Sequence, residues 1–150
     1  MSYREIQVVP VVDTGAYADG DAVGAAAMEF VPTGTEFNHS GRIVKAAILD
    51  NDSEDALLHL ELFSESVAAQ IDNAAFAVSD ADLKHYIGSI EFPIASYHTF
   101  TANSVCPIET DLPYYISSGS SLFGQLWVET STPTYTAATD ITVILGVHDI

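Results

Sequence analysis

Five histidines, one cysteine and two acidic clusters are the residues of this chain with the chemistry to hold a metal or attack a substrate. His39, His59, His85, His98 and His148 show neither the His-x-His nor the His-Glu-x-x-His spacing that sets two imidazoles on one face of a strand or helix. They read as surface or strand-face histidines. Cys106 follows His98 by eight residues, but a thiol becomes a nucleophile only with a base or a positive charge beside it, which separation along a strand does not supply. A small buried hydrophobe is the reading we adopt. No Gly-x-Ser-x-Gly elbow occurs, since the run Gly119-Ser120-Ser121-Leu122-Phe123-Gly124 has the wrong spacing. The segment Gly15 to Gly24 lacks the Gly-Lys-Ser/Thr of a phosphate cradle and reads as a turn feeding a strand.

The acidic clusters are Asp50, Asp52, Glu54 and Asp55, and separately Asp13, Asp19 and Asp21. Calcium is held by several carboxylate and carbonyl oxygens converging from one loop, so the first four residues are candidate calcium ligands. Counted from Asp50 as a calcium loop, however, the sixth position is Asp55, where the sharp turn requires glycine. A solvated acidic turn between two strands is the simpler expectation. The chain is therefore expected to carry no cofactor and no catalytic residues.

These residues are positioned by short runs with a period of two, separated by turn formers, the pattern of half-buried strands in an antiparallel sandwich. In the last run Ile141, Val143, Leu145 and Val147 share one face, and only Ile144 breaks the alternation. Leu58, Leu60 and Leu62 oppose His59 and Glu61; Ile90, Phe92 and Ile94 oppose Ser89 and Glu91. Further runs are 6–12, 22–31, 42–49, 97–106, 113–116 and 122–130, giving about nine strands in one domain. Punctuation comes from Asp19-Gly20-Asp21, Pro32-Thr33-Gly34, Asp50-Asn51-Asp52-Ser53 and Ser117-Ser118-Gly119-Ser120.

The stretch from Ser64 to His85 lacks alternation. Within it Ser79 caps a short helix, and we read the whole as a long crossover between sheets, as Greek-key sandwiches need. The fold expected is an all-β Greek-key sandwich of the jelly-roll type. Pro10 closes the first strand, so residues 1–10 are a candidate N-terminal arm, with Tyr3, Ile6 and Val8 as its contact residues for a neighbour. Phe63, Phe76, Phe92 and Trp127 are assigned to the core, and Tyr17, Tyr97, Tyr114, Tyr115 and Tyr135 to a tyrosine-rich surface.

Composition narrows the partners. Four basic residues stand against 21 acidic ones, a formal charge of −17, so nucleic acid and anionic membranes are poor partners. A lone cysteine forms no internal disulfide, and Met1 to Glu5 shows no basic segment leading into an apolar run. Folding in the cytoplasm as a soluble, unprocessed chain is expected.

The sequence resembles the small all-β decoration, or cement, proteins encoded beside the major capsid protein of tailed bacteriophages. The resemblance rests on Gly15-Ala16-Tyr17 with Gly20-Asp21-Ala22-Val23-Gly24, on Arg42 to Asp50 running into the acidic turn, and on Leu60-Glu61-Leu62-Phe63. It continues through Asp72-Asn73-Ala74-Ala75-Phe76, Ser79-Asp80-Ala81-Asp82 and Leu122-Phe123-Gly124-Gln125-Leu126. It implies a jelly-roll homotrimer on the outer surface of the virion, binding the major capsid protein between capsomers and stabilising the shell. Three alternatives stand beside it: a carbohydrate-binding jelly roll, a fibre or tail component, and a cupin-like metalloenzyme.

Overall fold

The computed structural model describes residues 3–31, 40–116 and 121–149. Among the described residues there are nine strands: β1 (Tyr3–Val8), β2 (Ala22–Phe30), β3 (Ser40–Asp50), β4 (Leu58–Phe63), β5 (Tyr86–Phe92), β6 (His98–Thr99), β7 (Ser104–Tyr115), β8 (Leu122–Val128) and β9 (Ile141–Asp149). One helical turn, α1 (Asp80–Leu83), interrupts them. The strands make a five-stranded sheet in the order β1-β9-β3-β7-β6 and a four-stranded sheet in the order β2-β8-β4-β5, and every pairing is antiparallel. The result is an all-β sandwich. The expected turns at Pro32-Thr33-Gly34 and Ser117 to Ser120, and His39, lie outside the described residues.

Strand alternation builds the core directly. Ile141, Val143, Leu145 and Val147 of β9 face Leu58, Leu60 and Leu62 of β4 across the interior, and all are fully buried with Ile43 and Ile48 of β3 and Phe92 of β5. Fully burying such aliphatic side chains contributes ~1.5–3 kcal/mol each, so this shared face fixes the register of both sheets.

Three boundaries differ from the sequence reading. The run 97–106 is cut by a tight turn, closed by the Phe100 N–H donating to the Asn103 carbonyl at 2.7 Å. Its second half joins 113–116 in the single long strand β7, which carries Pro107 and Pro113. Past Val105, β7 pairs with β3 alone, so prolines are accommodated on its unpaired side. Second, Ile94 leaves the β5 alternation: Pro93 turns the chain into a single 3-10 turn, and Ile94 is exposed. Third, the long connection 64–85 does not cross to the other sheet. It leaves β4 and returns to β4's own neighbour β5. On the way it covers the edge of β2, where the Gln70 N–H donates to the Ala25 carbonyl and the Ala22 N–H to the Ala74 carbonyl. Its helix begins where expected, with the Ser79 hydroxyl accepting the Asp82 N–H at 3.2 Å.

Residues 3–8, expected as an arm, lie on β9 in a continuous ladder from Tyr3 opposite His148 to Val8 opposite Val143. The segment is an edge strand of the domain because Ile6, the alternation-phased residue at its centre, reaches the core.

Candidate functional site

The acidic turn is the first predicted site to place. Asp50 has the inward parity of Ala46 and Ile48 and is buried, with 1% of its surface exposed. One carboxylate oxygen accepts the Asp52 N–H at 2.9 Å; the other accepts the N–H groups of Glu54 and Asp55 at 2.9 and 3.2 Å. Those bonds hold Ser53 and Asp55 at positive φ, so the side chain does the work a glycine does elsewhere. Burial raises the Asp50 pKa above the ordinary carboxylate range, against the opposing effect of the three N–H donors.

The neighbouring acids serve as acceptors as well. Asp52 takes the N–H and hydroxyl of Thr136, Glu54 takes the Thr134 N–H, and Asp55 takes the Thr99 hydroxyl. From the facing loop Asp140 accepts Thr136 and Ala137. The cluster thus clasps the β8–β9 loop to the end of β3. Among the described residues no group of three or more His, Cys, Asp or Glu is placed to hold a metal ion. Asp13 and Asp19 are likewise engaged, with the Asn73 amide and the Thr130 N–H, and Asp21 accepts the Ala18 N–H.

The described histidines do not converge. His59 lies on the outer face of β4, His85 ends the long connection, His98 is on β6 and His148 is on β9 beside Tyr3. Cys106 is fully buried, its thiol near the Pro93 carbonyl at 3.9 Å, and burial followed by the charge of Asp55 pushes its pKa up to about 11. At neutral pH it is a thiol, which is not a nucleophile.

Among the proposed contact residues, Ile6 belongs to the core and Val8 packs against it. Tyr3 is exposed on the outer face, edge-on to His148 at 5.3 Å, with its hydroxyl where a Cβ at Gly146 would stand.

The aromatic assignments are partly reversed. Tyr17, Tyr114 and Tyr135 are buried, Tyr97 is half-buried with its hydroxyl donating to the Ala56 carbonyl, and Tyr115 is exposed. Tyr17 ties three segments together: its hydroxyl accepts the Asp13 N–H and donates to Asp72, both at 2.7 Å. Phe63 and Phe92 are core, as expected. Trp127 and Phe76 are not. Leu126 and Val128 point inward, so Trp127 points outward, and strand parity alone carried that signal.

Trp127 anchors a constellation that the sequence reading missed. His59 faces it directly across β4 and β8 and stacks on it with ring centroids 4.3 Å apart; Phe76 from the long connection lies nearly parallel to it at 6.1 Å. Glu61 accepts the indole N–H at 2.8 Å, the Ser89 hydroxyl at 3.0 Å and the Tyr86 hydroxyl at 2.9 Å. Burial and the Glu61 charge push the Tyr86 phenol up to about 12. Glu61, Phe76, Val78, Leu83, Tyr86 and Trp127 line an open groove of about 260 Å³.

No protein-family model, curated protein or solved structure matches this chain. Among the described residues no helix is long and apolar enough to cross a membrane.

Proposed function

We propose that this chain is a non-enzymatic adhesion protein that decorates the outer surface of a tailed-phage capsid, binding the major capsid protein between capsomers as a homotrimer and stabilising the shell. The observation that carries this reading is the open edge of β1. No described strand pairs with its outer side, and Tyr3, Val9 and Val11 are exposed along the segment, with 47, 49 and 72% of their surfaces accessible.

Two other strands with a free side are guarded, whereas β5 is, like β1, unpaired on its outer side. The long connection hydrogen-bonds along β2, and prolines interrupt the free side of β7. An unpaired edge beside exposed apolar side chains is what adds a strand from another chain, main-chain bonds supplying affinity and alternate side chains specificity. We read the strand order, with successive strands passing repeatedly between the sheets, as that of a jelly roll, which is the fold the resemblance implies. Each copy has to bury ~800 Å² to hold stably, and many copies on one lattice add avidity. The high negative charge keeps multi-copy particles from associating with one another.

The test is co-sedimentation of the purified chain with empty tailed-phage capsid shells. Val9→Lys with Val11→Lys places charge beside the edge at exposed positions, so folding is retained while shell binding falls at least about tenfold. Unchanged binding of the double variant removes the edge from the interface.

A further inference from the structure

We infer that the β5 flank docks an extended segment of a partner protein bearing an acidic side chain, its main chain adding to the β5 edge and its carboxylate reaching Lys84. This inference does not depend on the virion reading. β5 lies over β7, on the side of the sandwich opposite β1, which lies over β2.

Two independent features meet on this flank. The first is a free edge. β5 ends the four-stranded sheet, and among the described residues no backbone group beyond β4 hydrogen-bonds to it. The strand, Tyr-Ile-Gly-Ser-Ile-Glu-Phe, contains neither the proline nor the lysine with which natural edges resist pairing. Its neighbour on the same flank, β7, carries Pro107 and Pro113, which cannot donate to a ladder. Of the two, β5 is the edge able to accept a strand along its length.

The second feature is charge. At the start of β5 an open pocket of about 380 Å³, more polar than apolar, lies between the sheets, with Ser64, Lys84, Tyr86, Pro113 and Tyr115 in its lining. Of the four Lys and Arg residues, Arg42 pairs with Asp111, Lys45 pairs with Glu5 and Arg4 is engaged. No ion pair among the described residues reaches Lys84, which is exposed; Glu65, on the same connection, is held by His85 at 3.4 Å. An ammonium left without a carboxylate favours an anionic group, while the formal charge of −17 around it repels a polyanion. One acidic side chain meets both conditions. Tyr86 and Tyr115, with 45 and 70% of their surfaces accessible, offer flat apolar contact to the side chains beside it.

Every strand pair in this fold is antiparallel, and an antiparallel addition to β5 brings the end of the added strand to the start of β5, beside Lys84. The probe is therefore acetyl-Thr-Val-Thr-Val-Thr-Asp-amide, whose aspartate bears its one charge. It is titrated into the native protein by calorimetry, with hydrogen exchange followed at residues 86–92. Saturable binding that slows exchange in β5 and weakens as salt is raised is expected. The same peptide ending in asparagine is expected to bind about three- to fivefold more weakly, and one N-methylated at its Thr and Val amides not to bind. Lys84→Gln, at an exposed position, is expected to erase the difference between the aspartate and asparagine peptides while the melting temperature holds. Equal binding of those two peptides to the native chain would overturn the role of Lys84. Undiminished binding of the N-methylated peptide, or no saturable response, would overturn the docking edge.

Discussion

The indole N–H of Trp127 donates to Glu61 at 2.8 Å across a diagonal of the outer face, for Trp127 sits opposite His59 while Glu61 sits opposite Gln125. The chain's tryptophan is therefore a surface residue held by hydrogen bonding and stacking. Trp127→Phe keeps a ring there and removes one hydrogen bond to a carboxylate, an expected loss of ~1.5–3 kcal/mol in urea unfolding. A loss above about 3 kcal/mol, the range of emptied aromatic core sites, would place Trp127 inside.

Phe63 is the contrasting case. It is fully buried at the end of β4, and Phe63→Ala is expected to cost ~3–5 kcal/mol. A measured loss below about 1 kcal/mol would contradict its place in the core.

Asp50 gives a prediction that separates a hydrogen-bonded turn from a calcium loop. Asp50→Asn turns an amide donor toward backbone N–H donors that need an acceptor, with an expected loss of ~1–3 kcal/mol at neutral pH. Because the folded-state pKa is raised, the native state holds its proton to higher pH than the unfolded chain. Stability from this group is thus full at low pH and declines as pH climbs through the raised value. Millimolar calcium is expected to leave the melting temperature unmoved; a rise that saturates with calcium would restore the turn as a cation site.

Buried phenols and the thiol set the alkaline limit. Tyr17, Tyr97 and Tyr135 are raised above the ordinary tyrosine value, first by burial, and Cys106 stands at about 11 for the same reason. Unfolded, these groups ionise at lower pH than in the native state, so the unfolded chain binds fewer protons and stability falls as pH rises past about 9–10. Absorbance at 295 nm is expected to show these tyrosines titrating together with unfolding, and a thiol reagent at pH 8 to leave Cys106 unmodified until denaturant is added. Rapid labelling of the native chain would show the thiol accessible.

Where alternation ran unbroken, the sequence was a sufficient guide: the inward faces of β4 and β9 were legible residue by residue. Misreadings arose where period-two logic stops. The connection 64–85 carries no alternation, and its return to β5 depends on hydrogen bonds to β2, which no local pattern encodes. Tyr17 and Tyr135 lie outside the strands, so nothing in their spacing showed that they turn inward. Asp50 continues the inward parity of Ile48, but a turn rich in acids reads as solvated until its N–H donors are seen. The groove at Trp127 was partly legible, since His59, Glu61 and Trp127 all oppose inward leucines and valines; Phe76 joins them only through the fold.

The most direct test of the proposed adhesion role is cryo-microscopy of tailed-phage capsid shells incubated with this chain. Three-fold sandwich density on the outer surface, with the β1 edge against capsid subunits, is the result the account predicts. Shells that stay bare at saturating protein, alongside a solution mass equal to the 16.0 kDa monomer, would contradict it.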